Sequence, residues 1–273
     1  MRNFILSMAV LATSLLYGQE FRGIAVYESK TSFKDAFSES KGEVDPELEK
    51  MLLEQLSKAM ENRYILKFDK TTSIYEQEQS LKNPTADNAF IQVSITGGGK
   101  EFKDLKQKST VTETEIYGKE FLIVDTLAGH DWKLGSETKK IGNYTCYKAT
   151  YTIKPQPRED KNTSGTTHMF DALNDKETVV TAWYTPEIPV SNGPGSYWGL
   201  PGLILEVNDG FTTLVCSKIT LNPKDKFIIK PPVKGKKVTQ AEFDRIMEEK
   251  TKEMEEMDND RGSGNGTVIK IGG

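Results

Sequence analysis

Apolar and polar residues alternate with a period of two over most of this chain and change to a helical period in two places. Phe21 to Phe33 reads as a first strand, with Val26 and Tyr27 at its middle, and Arg63 to Asp69, Ser73 to Gln79 and Phe90 to Thr96 follow in the same style. Thr110 to Tyr117 and Glu120 to Leu127 suggest a hairpin about Gly118-Lys119, and His130 to Leu134, Tyr144 to Ile153, a segment resuming at Thr178 and the short Phe227 to Ile229 extend the series. After the first strand, Asp45 is a good N-cap and Pro46 fits the first helical position. Leu48, Leu52, Leu56 and Ala59 then share one stripe, with Met51 and Met60 beside it. A second helix opens with a capping box, Thr239 with Glu242, and a staple, Val238 with Phe243. Beyond Ile246 and Met247 it is almost wholly charged, so its far end should project into solvent. The pattern predicts a mainly β (α+β) fold: a curved, half-barrel-like antiparallel sheet with an early packing helix and a C-terminal helix.

One hairpin is specified more closely. Asp209-Gly210 reads as a two-residue turn, pairing Asn208 with Phe211, Val207 with Thr212, Leu205 with Leu214 and Leu203 with Cys216. In that register Leu203, Leu205, Val207, Leu214 and Cys216 share one apolar face.

Composition changes this picture at the N-terminus. Arg2 precedes a largely apolar stretch from Phe4 to Tyr17 ending at Gly18, which reads as a secretory signal peptide over residues 1–18, too short to span a bilayer. A single domain over residues 19–257 and a flexible tail over 258–273 with a strand-like end should follow. Without Arg2 the mature chain carries 35 basic against 40 acidic residues, a net −5, which argues against a nucleic-acid partner. Export also bears on Cys146 and Cys216, both inside strands. An oxidising compartment favours a disulfide between them, with two separately buried thiols as the alternative.

Candidate chemistry is sparse. His130 and His168 have no second ligand at metal spacing, Ser196 lacks a nucleophile elbow, and Gly97-Gly98-Gly99 lacks the lysine and hydroxyl of a phosphate loop. Neither a metal nor a cofactor is expected. The aromatic pairs Trp183-Tyr184 and Tyr197-Trp198 are the better candidates for binding, together with Leu200 and Pro201; in each pair one ring should face the core and the other face outward. Val268, Ile269 and Ile271 form a short β-prone end suited to strand addition on a partner. Gly199 and Gly202 with Pro201 form a rigid turn feeding the strand of Leu203 and Ile204.

Several blocks carry a family resemblance: Lys67-Phe68-Asp69 before Tyr75, Phe121 to Asp125 leading to Trp132-Lys133-Leu134, Lys140 to Ala149, Ala182 to Val190, and the hexapeptide Gly199-Leu200-Pro201-Gly202-Leu203-Ile204. Together they resemble the GLPGLI family of Bacteroidota envelope proteins. The resemblance implies a periplasmic protein, often linked with TonB-dependent outer-membrane receptors, and offers no catalytic residues. The expected function is a non-enzymatic accessory module binding such a receptor or its cargo. A carrier of an apolar lipid or acyl ligand in a concave sheet is the alternative, and a hydrolase the third.

Overall fold

The β-rich segments assemble into one open, curved sheet in the computed structural model of the chain, which describes residues 21–32, 61–78, 99–116, 118–155 and 177–260 together with Glu47, Lys50, Met51, Glu54, Ser57 and Lys58. In chain order the strands are β1 (Arg22–Thr31), β2 (Arg63–Asp69), β3 (Thr72–Gln77), β4 (Lys100–Asp104), β5 (Ser109–Ile116), β6 (Lys119–Thr126), β7 (Lys133–Ile141), β8 (Tyr144–Ile153), β9 (Thr178–Thr185), β10 (Leu203–Asn208), β11 (Thr212–Leu221) and β12 (Lys236–Val238), and helix α1 spans Gln240–Asp260. The spatial order is β12-β6-β5-β4-β3-β2-β1-β11-β10-β9-β8-β7. All neighbours are antiparallel except β12 and β6.

The fold is thus two meanders joined along β1 and β11, where Tyr27 lies opposite Cys216 and Ala25 opposite Ile219. At the end of β6 the chain crosses to β7, ten strand spacings away, through residues 127–132 alone. Ten spacings in a flat sheet are about 48 Å, whereas so short a connection reaches at most about 25 Å. The sheet must therefore curl. It does so without closing into a barrel.

Three apolar clusters stabilise the curl. The first gathers Tyr27 from β1, Leu66 and Phe68 from β2, Cys146 from β8, Leu203 and Leu205 from β10, and Ile188 and Val190 from the segment between β9 and β10. The second joins Ala149, Val180, Ala182 and Tyr184 to Leu200, Ile204 and Val207. The third seats α1 and β12 on β5 and β6 through Ile116, Phe121, Ile123, Val238 and Phe243. There the expected helix start is in place: Glu242 Oε2 accepts from Thr239 N at 2.8 Å, Glu242 N donates to Thr239 Oγ1 at 3.2 Å, and the Val238–Phe243 staple packs. Ile246 and Met247 add to it, while Glu248, Glu249, Lys252 and Glu253 beyond them are exposed, so the helix leaves the sheet as its composition requires.

Several expectations are corrected. The 209–210 hairpin pairs Asn208 with Thr213, Val207 with Leu214 and Glu206 with Val215, a wider loop than the two-residue turn. Asp209 Oδ1 accepts from both Phe211 N, 3.0 Å, and Thr212 N, 2.7 Å, and only Gly210 takes a positive φ, whereas the tight turn needs one at both central residues. The five residues expected on one face divide: Leu203, Leu205 and Cys216 lie in the first cluster and Val207 in the second, with Leu214 against both. A bulge between Ile204 and Glu206 opposite β9 re-aims the strand between them. The expected disulfide is not formed. Cys146 and Cys216 are separate buried thiols of the first cluster, on strands with β9 and β10 between them. Burial pushes the Cys146 thiol up to about 11 and that of Cys216 up to about 12.

Ile116 pairs with Lys119, one position earlier than Gly118-Lys119 implied, and Phe227 to Ile229 joins no strand. Strand β4 and most of β7 went unread because both are polar. Strand β7 is a charged sheet edge, with Lys133, Glu137, Lys139 and Lys140 along it, a pattern that discourages pairing with other chains. The six described positions between 47 and 58 are helical, consistent with the early helix, while its apolar stripe, the Phe90 to Thr96 strand, the signal peptide and the tail beyond 260 lie outside the described residues.

Gly202 sets the entry to β10. A Cβ there would stand 2.1 Å from the Thr185 carbonyl oxygen and 2.8 Å from Pro186 N, and the backbone already sits at φ +159. Gly202→Val should therefore destabilise the domain by at least about 2 kcal/mol, seen as a lowered urea midpoint. Gly118→Ala, at φ +72 with open space around it, should cost only about 1 kcal/mol. Equal midpoints for the two variants would contradict this account. Thiol labelling should find neither cysteine in the native protein and both in unreduced, denatured protein; a blocked pair after denaturation would refute the two separate thiols.

Candidate functional site

The segment 186–202 is the longest ordered connection without strand or helix among the described residues, and it does not stray from the sheet. Its early part inserts Ile188 and Val190, 0% and 1% exposed, into the first cluster. Two backbone bonds then tie it to the strand that follows, Leu203 N to Ile188 O at 3.0 Å and Ile204 N to Asn192 O at 3.0 Å. Gly193 is needed where the loop closes on β10, since a Cβ would lie 2.9 Å from Ile204 Cβ. Tyr27 adds its hydroxyl from β1, donating to Ile204 O at 2.7 Å.

The opposite anchor is a charge. Lys103 on β4 is fully buried, and its Nζ donates to Gly193 O at 2.9 Å and to Gly195 O. Burial pulls its pKa down to about 8, with the carboxylate of Glu101 acting against that shift. Glu101, in turn, is pushed up by desolvation and held back by Lys103. Tyr75, across β3 from Glu101, and Tyr197 of the loop are both raised by burial, so both stay neutral phenols.

A ring cluster holds the loop's far end against the β6–β7 connection. His130 stacks on Tyr151 with centroids 4.6 Å apart, Trp132 meets Tyr151 edge-on at 4.7 Å, and Tyr197 lies 6.0 Å from His130. The polar atoms are used internally: Trp132 Nε1 donates to Trp198 O at 2.8 Å, Trp198 Nε1 to Ala128 O at 2.6 Å, and Tyr197 Oη to Asp209 Oδ2 at 3.4 Å. His130 Nε2 is 3.1 Å from Ser196 O, so this histidine is a strut of the loop. What remains for contact is a rim of exposed Pro186, Glu187, Pro189, Ser196, Gly199 and Pro201 beside partly exposed Tyr197 and Trp198.

The candidates named from sequence separate accordingly. Tyr197, Trp198 and Pro201 come together on this rim. Leu200 and Tyr184 are core residues of the second cluster, 1% and 6% exposed. Trp183 faces the other way, against the first cluster, under the ammonium of Lys139, which lies 4.4 Å from its ring and reaches both Glu206 carboxylate oxygens at 2.7 Å. Gly199 and Gly202 hold positive φ, and Leu200, Gly202, Leu203 and Ile204 are buried, so the hexapeptide is anchored in the core while Gly199 and Pro201 stay on the rim. Val268, Ile269 and Ile271 lie outside the described residues. Sequence reading missed Lys103 and Glu101, and the alternation Glu101-Phe102-Lys103 holds no sign that its charged face is turned inward. Among the described residues no three His, Cys, Asp or Glu side chains converge as a metal site, and no helix is long and apolar enough to cross a membrane.

These features define a curved antiparallel sheet carrying a buried crossing loop. Residues 132–206, from the aromatic strut through β10, match the model of a family described as "Protein of unknown function (Porph_ging)". No curated protein matches the chain. Among solved structures, PNGF-II in a C2 crystal form is similar at 14% identity and a TM-score of 0.48, covering 83% of this chain and 32% of that one. A P21 form of PNGF-II gives 15% identity, a TM-score of 0.46, and coverages of 84% and 33%. The chain spans about a third of the length of these structures.

The buried ammonium makes stability depend on pH in a definite direction. Lys103 holds its proton less tightly folded than unfolded, so its charge opposes folding fully below about pH 8, and the opposition fades as pH rises toward 10.5. Relative to Lys103→Met, the wild-type unfolding free energy should rise by about 1 to 3 kcal/mol between about pH 7.5 and about pH 9.5. Urea denaturation at the two values tests this, and a flat or falling difference would show that the ammonium is not desolvated.

Proposed function

We propose that this chain is a non-enzymatic, exported accessory protein of the GLPGLI type. In this reading it acts in the periplasm, needs no cofactor, and binds an outer-membrane TonB-dependent receptor or its cargo through the rim of the crossing loop. The observation that carries the reading is the rigidity of that rim: its backbone is held by Lys103, Trp132 and β10, while prolines and the edges of Tyr197 and Trp198 reach the surface. A surface fixed in advance binds without an ordering cost, and aromatic side chains are the usual anchors of such contacts. The matched family segment ends in this same loop and strand and has no assigned function, so the receptor link draws on the resemblance of Gly199 to Ile204 and its companion blocks.

A carrier of apolar ligands draws support from the curl of the sheet. It is disfavoured by Ile188 and Val190, which pack among Tyr27, Leu66 and Leu203 where an acyl chain would need room.

Two exposed positions test the binding reading. Pro201→Glu combined with Ser196→Glu should leave the melting temperature within about 2 °C and lower recovery of a TonB-dependent receptor from native envelopes at least about tenfold, equal to about 1.4 kcal/mol. Undiminished recovery by a folded variant would exclude the rim as the contact.

A further inference from the structure

Between β11 and β12 the chain runs as a strap over residues 222–235 that belongs to neither strand nor helix. Its two ends are fixed. Asn222 N donates to Arg22 O at 2.7 Å and Arg22 Nη1 to Phe227 O at 2.7 Å, while at the other end Gly235, at φ +121, lies so close to β6 that a Cβ would stand 2.8 Å from Phe121 N. Residues 222–237 hold six lysines against the single Asp225, a net +5 in a chain whose total is −4, so all other residues together carry −9. Lys234 pairs with Glu120, whereas Lys224, Lys226, Lys230 and Lys237 have no ion pair among the described residues. Exposure alternates along the middle of the strap: Phe227, Ile229 and Pro232 are half-buried, while Lys226, Ile228, Lys230 and Val233 are exposed. Ile228 and Val233, 74% and 86% exposed, are the most exposed large apolar side chains among the described residues, and both stand between lysines.

We propose that this strap is a membrane-contact surface, in which its lysines meet the phosphates of anionic phospholipid headgroups and Ile228 and Val233 enter the boundary of the acyl chains. Lysines beside exposed apolar side chains gain from two forces at once, electrostatic attraction to the charged surface and removal of apolar area from water. The excess of negative charge elsewhere on the chain is repelled by the same surface, so attraction at the strap also orients the molecule. A protein partner fits less well. Protein interfaces favour arginine and aromatic rings and are depleted in lysine, and residues 222–237 contain no arginine and no exposed ring. A single-stranded nucleic acid would need exposed rings on which bases stack, and Phe227, the one aromatic residue of the strap, is half-buried. Lysine, a compact charge on a flexible stem, suits a surface whose phosphates move laterally and offer no fixed geometry for a guanidinium fork. The contact is with lipid alone, so it stands apart from the receptor reading of the loop rim.

Vesicle flotation tests this with the exported chain, residues 19–273, so that the leader expected over residues 1–18 does not itself enter the bilayer. Vesicles of phosphatidylcholine with about one-third phosphatidylglycerol should bind it at least about tenfold more strongly than phosphatidylcholine alone, and the difference should shrink as salt is raised. Lys226→Glu combined with Lys230→Glu should lower binding to the anionic vesicles at least about tenfold. Ile228→Ser combined with Val233→Ser, which leaves the charge untouched, should lower it about fivefold or more. Substitutions at such exposed positions should leave the melting temperature unchanged. Equal affinity for neutral and anionic vesicles, or none for either, overturns the proposal. So does undiminished binding by the serine variant, and so does retention on heparin without vesicle binding, which would assign the strap to a soluble polyanion. If the glutamate variant does not fold, the salt dependence of the wild type and the loss in the serine variant decide the matter.

Discussion

The short connection between β6 and β7 is the constraint on which this structure depends. It joins strands near opposite edges of a sheet whose flat width would be about twice the length the connection can reach. Curling is therefore required by chain length, before any side chain is considered. A curled sheet has an inner side that the opposite strands alone leave incompletely filled, and the segment 186–202 supplies what is missing. Its Ile188 and Val190 complete the first cluster, and Leu200 completes the second.

Such a loop carries backbone groups that must find partners away from water. The observed solution divides the task. Backbone bonds to Leu203 and Ile204 satisfy Ile188 and Asn192, the Lys103 ammonium takes the carbonyls of Gly193 and Gly195, and Trp132 takes that of Trp198. Burying a cation for this purpose is costly, which is why its pKa falls to about 8. The return is a fixed path for the chain at a place where no strand neighbour is available. The ring cluster around His130 does the same for the far side, tying the loop to the very connection that forces the curl.

The two edges of the sheet carry features that disfavour pairing with a further strand. At one, β12 presents only Lys236 to Val238 and is followed at once by the helix; at the other, β7 is a charged strand with a register break between Leu134 and Thr138. Both are devices that discourage strand addition.

Much of this was legible from local patterns. The alternation in β1, β2, β6 and β8, the capping box and staple of α1, and the need for glycine at positions 199 and 202 follow from periodicity, side-chain reach and backbone sterics, all of which act within a few residues. The polar strands β4 and β7 were not legible because alternation marks a strand only where one face is apolar, and these lie at a charged edge or against a charged interior. The hairpin at 209–210 was placed but its register was not, since the Asp209 carboxylate could close either a narrow or a wide turn. The placement of Cys146 and Cys216 on strands with β9 and β10 between them is a matter of strand order, which the residues flanking each cysteine do not encode. The same holds for the inward turn of Lys103 and Glu101: the chain alone shows only charged residues alternating about Phe102, and only the curl of the sheet decided that they form a strand whose lysine meets a loop from the other meander.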